Sequence, residues 1–191
     1  TVPRYLQKFA AQIVVGISNS STLKRMSYEF AMRLARRHIR RLWDGIATGA
    51  DQAAYRACHA AVFRPILNKL GFDGLEFVIC GGAPLPPETM ALWQMYGVNV
   101  LEVYGQTEEA GGIIAGQRGQ FPRPGNVGTA PDGWDVRLAD DGEVLVRSPD
   151  LFEGYWRNED ASRAVKHEDG WLRTGDIGAW TDGTLRLVDR A

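Results

Sequence analysis

Three short strings in this 191-residue chain combine residue types that could do chemistry. Cys80-Gly81-Gly82-Ala83-Pro84 is a Gly-rich turn. Tyr104-Gly105-Gln106-Thr107-Glu108 sets an aromatic ring beside a hydroxyl and a carboxylate. Thr174-Gly175-Asp176 carries a carboxylate on a tight turn. In this order, each reads as one part of a nucleotide site. Each also has a plainer use: Tyr104 as a strand-end core aromatic, Thr107 as a turn-stabilising hydroxyl, Glu108 as a solvated carboxylate, and Asp176 as a turn residue after glycine. Glu109 fits the solvated reading best.

The elements that would position these strings follow from pattern. Leu75–Cys80 is a short apolar run between glycines and predicts a buried strand. Pro86-Pro87-Glu88 opens a helix to about Tyr96, Gly97 closes it, and Val98–Tyr104 predicts a second strand. Strand, helix and strand at this length imply a parallel unit with a right-handed crossover. Ligands of such sheets lie beyond the carboxyl ends of the strands, where Gly81-Gly82-Ala83 and Gly105–Glu108 fall.

Residues 1–70 read as helical. Leu23, Met26, Phe30 and Leu34 recur at helical spacing, with Ile39 and Leu42 roughly continuing the stripe and Gly45 and Gly49 ending that helix, and a second helix spans Gln52–Leu70 with Pro65 as a kink. Ser18–Lys24 carries hydroxyls and a lysine but no glycine, and fits a helix-entry loop with a Ser or Thr cap. After a Gly- and Pro-rich stretch at 109–133, two hairpins are predicted: Val136–Leu138 with Val144–Arg147 around Asp140-Asp141-Gly142, and Ile177–Trp180 with Thr184–Val188 around Thr181-Asp182-Gly183. A short helix is expected at Glu159–Val165.

Composition is that of an ordinary globular protein, with 45% hydrophobic and 24% charged residues. No apolar run approaches the roughly 20 residues of a membrane span. Two cysteines, Cys58 and Cys80, are too few for a disulfide framework or a zinc cluster, so a reducing cytosol is the expected compartment. Cys80 fits a buried small residue. His38, His59 and His167 show no ligand or triad spacing. The net charge of −1 hides an asymmetry: residues 1–70 hold 12 Lys and Arg against 3 Asp and Glu, and the rest hold 10 against 20. The basic face of 23–43 reads as a solvated helix face, as a peripheral membrane contact, or last as a site for small-molecule or nucleic-acid phosphates; no nucleic-acid partner is expected.

On these strings the chain resembles the adenylate-forming enzymes: acyl-CoA synthetases, luciferases and peptide-synthetase adenylation domains. Gly81–Leu85 is similar to the family's adenine loop, Tyr104–Glu108 to its Tyr-Gly-x-Thr-Glu motif, and Gly125–Thr129 to its Gly-x-x-Gly-x stretch. Gly154-Tyr155-Trp156 resembles a Gly-Tyr-aromatic element, Gly170–Asp176 the ribose-binding motif, and Val188-Asp189-Arg190 the strand before the hinge. Val2-Pro3-Arg4 before a long helical stretch resembles the long-chain fatty acyl-CoA synthetase branch.

The resemblance implies an α/β fold: residues 1–124 as part of a large lobe, with helices on a mainly parallel sheet, then a small β-rich subdomain at 125–191. It implies ATP-dependent fatty-acid–CoA ligation using Mg²⁺, with ATP, fatty acid and CoA as small-molecule substrates. Gly81, Gly82, Ala83, Pro84, Tyr104, Gly105, Thr107, Asp176 and Arg190 would bind nucleotide. Thr107 would donate to the α-phosphate and Glu108 would hold Mg²⁺, the two forming the catalytic pair. Asp176 would accept from the ribose hydroxyls. Val103, Gly111 and Gly112 would line the acyl channel with Gly81 and Gly82, although many relatives carry Gly where Val103 stands. The family's Lys-ended phosphate loop and its lysine-bearing small domain have no counterpart here, which reads as an internal fragment of a larger enzyme, inactive alone. A non-catalytic nucleotide- or lipid-binding remnant and an adenylation module loading a carrier protein are the alternatives.

Overall fold

The computed structural model describes residues 1–166 and 169–190; His167 lies outside the described residues. The chain is α/β and packs as two compact units. One holds Thr1–Cys80, Leu85–Leu101 and Gly119–Pro124. The other holds Gly81–Pro84, Glu102–Arg118 and Gly125–Ala191. Segments 81–84 and 102–118 thus group with 125–191.

The first unit is mainly helical. Helices α1 (Pro3–Ser18), α2 (Thr22–Trp43) and α3 (Gly49–Cys58) are followed by a π-helical turn at His59–Phe63 and by α4 (Arg64–Leu70). The wide turn falls just before Pro65, whose ring has no N–H for a regular helical bond and crowds the preceding turn. Gly49 opens α3 instead of closing α2. Thr48 and Asp51 form a capping box there, and Asp51 also takes both oxygens to Arg41 at 2.7–2.8 Å. Hydrogen bonds from Thr48, then the Arg41 charge, hold the Asp51 carboxyl down at about 2.

The expected apolar stripe of α2 holds at its end and fails at its start. Leu23, Met26 and Phe30 are 75%, 61% and 57% exposed, while Ile39 of that stripe faces the core together with Ala31, Ala35 and His38. Small residues bury here because they let neighbouring helices approach closely. The core around them includes Leu6, Phe63, Leu67, Trp93 and Tyr96.

Strand β1 (Val78–Cys80) is shorter than the apolar run suggests. Only Cys80 is fully buried, and Phe77 and Ile79 point outward. Helix α5 (Pro87–Met95) then leads to β2 (Val100–Tyr104), the neighbour of β1. Among the described residues no helix is long and apolar enough to cross a membrane.

In the second unit the end of β2 pairs antiparallel with β3 (Ala115–Gly116), Tyr104 opposite Ala115. An antiparallel sheet runs in the order β4 (Asp135–Leu138), β5 (Glu143–Arg147), β6 (Leu172–Thr181) and β7 (Thr184–Arg190), with helix α6 (Glu159–Val165) before β6. Both expected hairpins are there. Tyr104, Ile114, Val127, Val144, Val146 and Leu185 form its core.

Candidate functional site

The site is built on the end of β2 and on the early part of β6, both in the second unit. β2 delivers Tyr104 and runs into a 3₁₀ turn, Thr107–Glu109. Thr174-Gly175-Asp176, expected as a tight turn, lies instead inside β6 at a bulge where the register with β5 shifts and Gly175 takes a φ of 72°. That bulge is fixed on three sides: the Thr174 hydroxyl donates to the Val144 carbonyl, the Gly175 N–H donates to Glu143 Oε1, and the Asp176 N–H donates to the Thr174 hydroxyl. Glu143 is buried and paired with Arg173, so its charge is compensated where it holds the bulge.

Three side chains converge on Asp176. The Tyr104 hydroxyl donates to Oδ2 at 2.7 Å, the Gln106 amide donates to the same oxygen at 2.9 Å, and Arg190 Nε lies 3.3 Å from Oδ1. The register of β6 with β7 sets Arg190 directly opposite Asp176. Burial, reinforced by the neighbouring Asp176 charge, pushes the Tyr104 phenol above its ordinary value, so it stays a hydrogen-bond donor.

Around this cluster lies a cavity of about 490 Å³, lined by Gly82, Ala83 and Pro84, by Glu102 to Gln106, and by Val127, Asp176 and Leu187 to Arg190. Its size suits a small ligand. Of the predicted nucleotide residues, the structure brings Gly82, Ala83, Pro84, Tyr104, Gly105, Asp176 and Arg190 onto one cavity, together with Val103 of the predicted acyl channel. Gly81, Thr107, Glu108, Gly111 and Gly112 are not among its lining residues. Gly81 has a different constraint: a Cβ there would sit 2.8 Å from Val103 Cγ2 and 2.9 Å from the Val103 carbonyl oxygen. Gly112 is similarly filled in, by the Glu109 carbonyl and the Trp134 ring. These two glycines serve close packing.

Glu108 is half-buried on the 3₁₀ turn. Its Oε1 accepts from the Tyr155 hydroxyl at 2.7 Å, and its carbonyl accepts from the Phe152 N–H. That bond holds the Tyr155 phenol above its ordinary value. Glu109 corrects the sequence reading. It is 1% exposed, its Oε2 accepts from the Gln106 N–H at 2.7 Å, and its Oε1 has no partner among the described residues. Burial, with smaller contributions from Glu108 and Asp176, pushes its carboxyl up to about 7.

Gln106, Glu109 and Glu143 are the residues that motif reading missed. Gln106 occupies the variable position of its string, and Glu143 sits on a strand 33 residues before Asp176. Among the described residues no group of three or more His, Cys, Asp or Glu is placed to hold a metal ion. A Mg²⁺ shared with substrate phosphates needs only one or two protein carboxylates, and the hard oxygens of Glu108 fit that smaller requirement.

Residues 7–156 match a family model described as AMP-binding enzyme. The chain is similar to a putative fatty-acid–CoA ligase, fadD11, of Mycobacterium tuberculosis, at 32% identity over 99% of this chain and 34% of the relative. It is similar to the peroxisomal long chain acyl-CoA synthetase 7 of Arabidopsis thaliana, at 31% identity over 100% of this chain and 28% of the relative. The chain thus spans about a third of the length of these curated relatives. Among solved structures it is similar to a malonyl-CoA ligase ternary product complex with methylmalonyl-CoA and AMP bound. That match has 33% identity and a TM-score of 0.55, covering 68% of this chain and 32% of the other.

Proposed function

We propose a function from one premise: the chain belongs to the AMP-binding enzyme family. It forms part of an ATP-dependent acid–thiol ligase that joins a long-chain fatty acid to AMP and passes the acyl group to CoA. The observation that carries this reading is the cavity that gathers Gly82–Pro84, Tyr104, Gly105, Asp176 and Arg190.

Within that cavity Asp176 accepts from the ribose hydroxyls, as a carboxylate already fixed by Tyr104 and Gln106 can do without reorganising. The adenine lies against Gly82–Pro84 and Tyr104. Arg190 is within reach of ribose or phosphate oxygens. Thr107 and Glu108, at the start of the 3₁₀ turn that follows the cavity-lining Gln106, are assigned to the phosphates, and Glu108 is the residue that would hold Mg²⁺. When bound there, Mg²⁺ would supply positive charge to the phosphate oxygens. The chain's own residues contribute position: a carboxylate oxygen of the acid must meet the α-phosphorus in line, and a fixed ribose sets that approach.

The fatty acyl class is favoured by the names of the curated relatives and by Val2-Pro3-Arg4 at the start of α1. The malonyl-CoA ligase likeness supplies a competing class. Sulfamoyl-adenosine mimics of the acyl-adenylate decide between them. The dodecanoyl mimic binds the chain more tightly than AMP, and the malonyl mimic gains nothing over AMP. Tighter binding of the malonyl mimic overturns the fatty acyl assignment, and failure of both mimics and AMP to bind overturns the nucleotide reading.

A further inference from the structure

We propose that Gln106 is a positioning residue that selects which oxygen of Asp176 meets the ribose; this rests on the nucleotide reading above. Its amide nitrogen lies 2.8 Å from the Thr174 carbonyl, 2.9 Å from Asp176 Oδ2 and 3.3 Å from the Tyr104 hydroxyl, so its two hydrogens serve the two nearer acceptors. One side chain therefore ties the end of β2 to both ends of the Thr174-Gly175-Asp176 bulge. Its backbone is pinned as well, because the Gln106 N–H donates to buried Glu109 at 2.7 Å.

The consequence lies in the acceptor count. A carboxylate offers about four lone-pair directions, two on each oxygen. On Asp176, Oδ2 already takes two donors, the Tyr104 hydroxyl and the Gln106 amide. Oδ1 carries Arg190, whose side chain is 78% exposed. The capacity left for a ligand hydroxyl is on Oδ1. Tyr104 alone could bond either oxygen after a rotation of the carboxylate. Gln106 removes that freedom, since its second hydrogen is committed to Thr174. A glutamate here would repel Asp176, and an aliphatic side chain would leave the carboxylate free to turn.

The test compares AMP with 2′,3′-dideoxyadenosine monophosphate by titration calorimetry on the unaltered chain, on Gln106→Met, on Asp176→Asn and on the double variant. Thermal unfolding of each variant is recorded without ligand. Gln106→Met weakens AMP binding about tenfold, in line with the loss of one hydrogen bond to a charged group. It leaves the dideoxy nucleotide unchanged, and it has no further effect once Asp176 is Asn. Should Gln106→Met unfold, Gln106→Asn keeps the amide but is one methylene too short to reach Asp176, and the same pattern is expected. Equal weakening of both nucleotides, or of neither, overturns the assignment to Gln106 while leaving the nucleotide reading standing. Binding of neither nucleotide by the unaltered chain removes that reading and this assignment together.

Discussion

The Tyr104 hydroxyl donates to Asp176 Oδ2 at 2.7 Å across 72 residues of sequence. This bond joins the end of β2 to the bulge in β6 and makes two strings into one site. Tyr104→Phe removes it while keeping the ring. AMP binding is expected to weaken by about three- to tenfold, because Gln106 still holds the same oxygen. Asp176→Asn is expected to cost more, since it also removes the charge facing Arg190. Calorimetric titration of both variants checks the order.

Gly81 tests packing apart from ligand binding. A Cβ there meets the Val103 carbonyl, a backbone atom that cannot rotate away. Gly81→Ala is expected to destabilise the chain by about 1–3 kcal/mol, read from denaturant midpoints. A stability equal to the unaltered chain would mean that the loop at 81–84 has room the structure does not show.

Helix α2 supplies a contrast between two faces. Phe30→Ser, on the exposed face, is expected to change stability by less than about 0.5 kcal/mol, whereas Ile39→Ala, at a fully buried site, is expected to cost about 2–5 kcal/mol. Urea unfolding of both variants gives the comparison directly.

Asp51 sets a pH dependence. Its folded-state value, about 2, lies below the ordinary 3.8. Its contribution is therefore fully present above pH 3.8 and is lost as pH falls through the folded value. Asp51→Asn is expected to lower the melting temperature at pH 7, with the difference narrowing below pH 4. A difference constant from pH 7 to pH 3 would remove Asp51 from this role.

Much of the second unit was legible because its signals are local. Asp140-Asp141-Gly142 and Thr181-Asp182-Gly183 each mark a hairpin tip, and helix α6 has the bounds its pattern indicates. The buried face at the start and middle of α2 was not legible. Ile39 continued the apolar stripe and is buried, but choosing Ala31 and Ala35 over Leu23, Met26 and Phe30 depends on how closely neighbouring helices approach.

The site divides in the same way. Asp176 and Tyr104 stood out by type and setting. Gln106 did not, because its amide acts on partners about 70 residues away. The burial of Glu109 had one local signal, its three-residue spacing from Gln106 at the head of a 3₁₀ turn, the spacing at which a side chain reaches back to a cap N–H.

The central claim is that the Asp176 cavity holds AMP. A crystal structure of the chain grown with AMP tests it most directly. The account predicts ribose hydroxyls within hydrogen-bond distance of Asp176 Oδ1 and an adenine ring beside Gly82–Pro84 and Tyr104. Well-ordered AMP bound elsewhere, with Asp176 still closed by Tyr104, Gln106 and Arg190 alone, would contradict it.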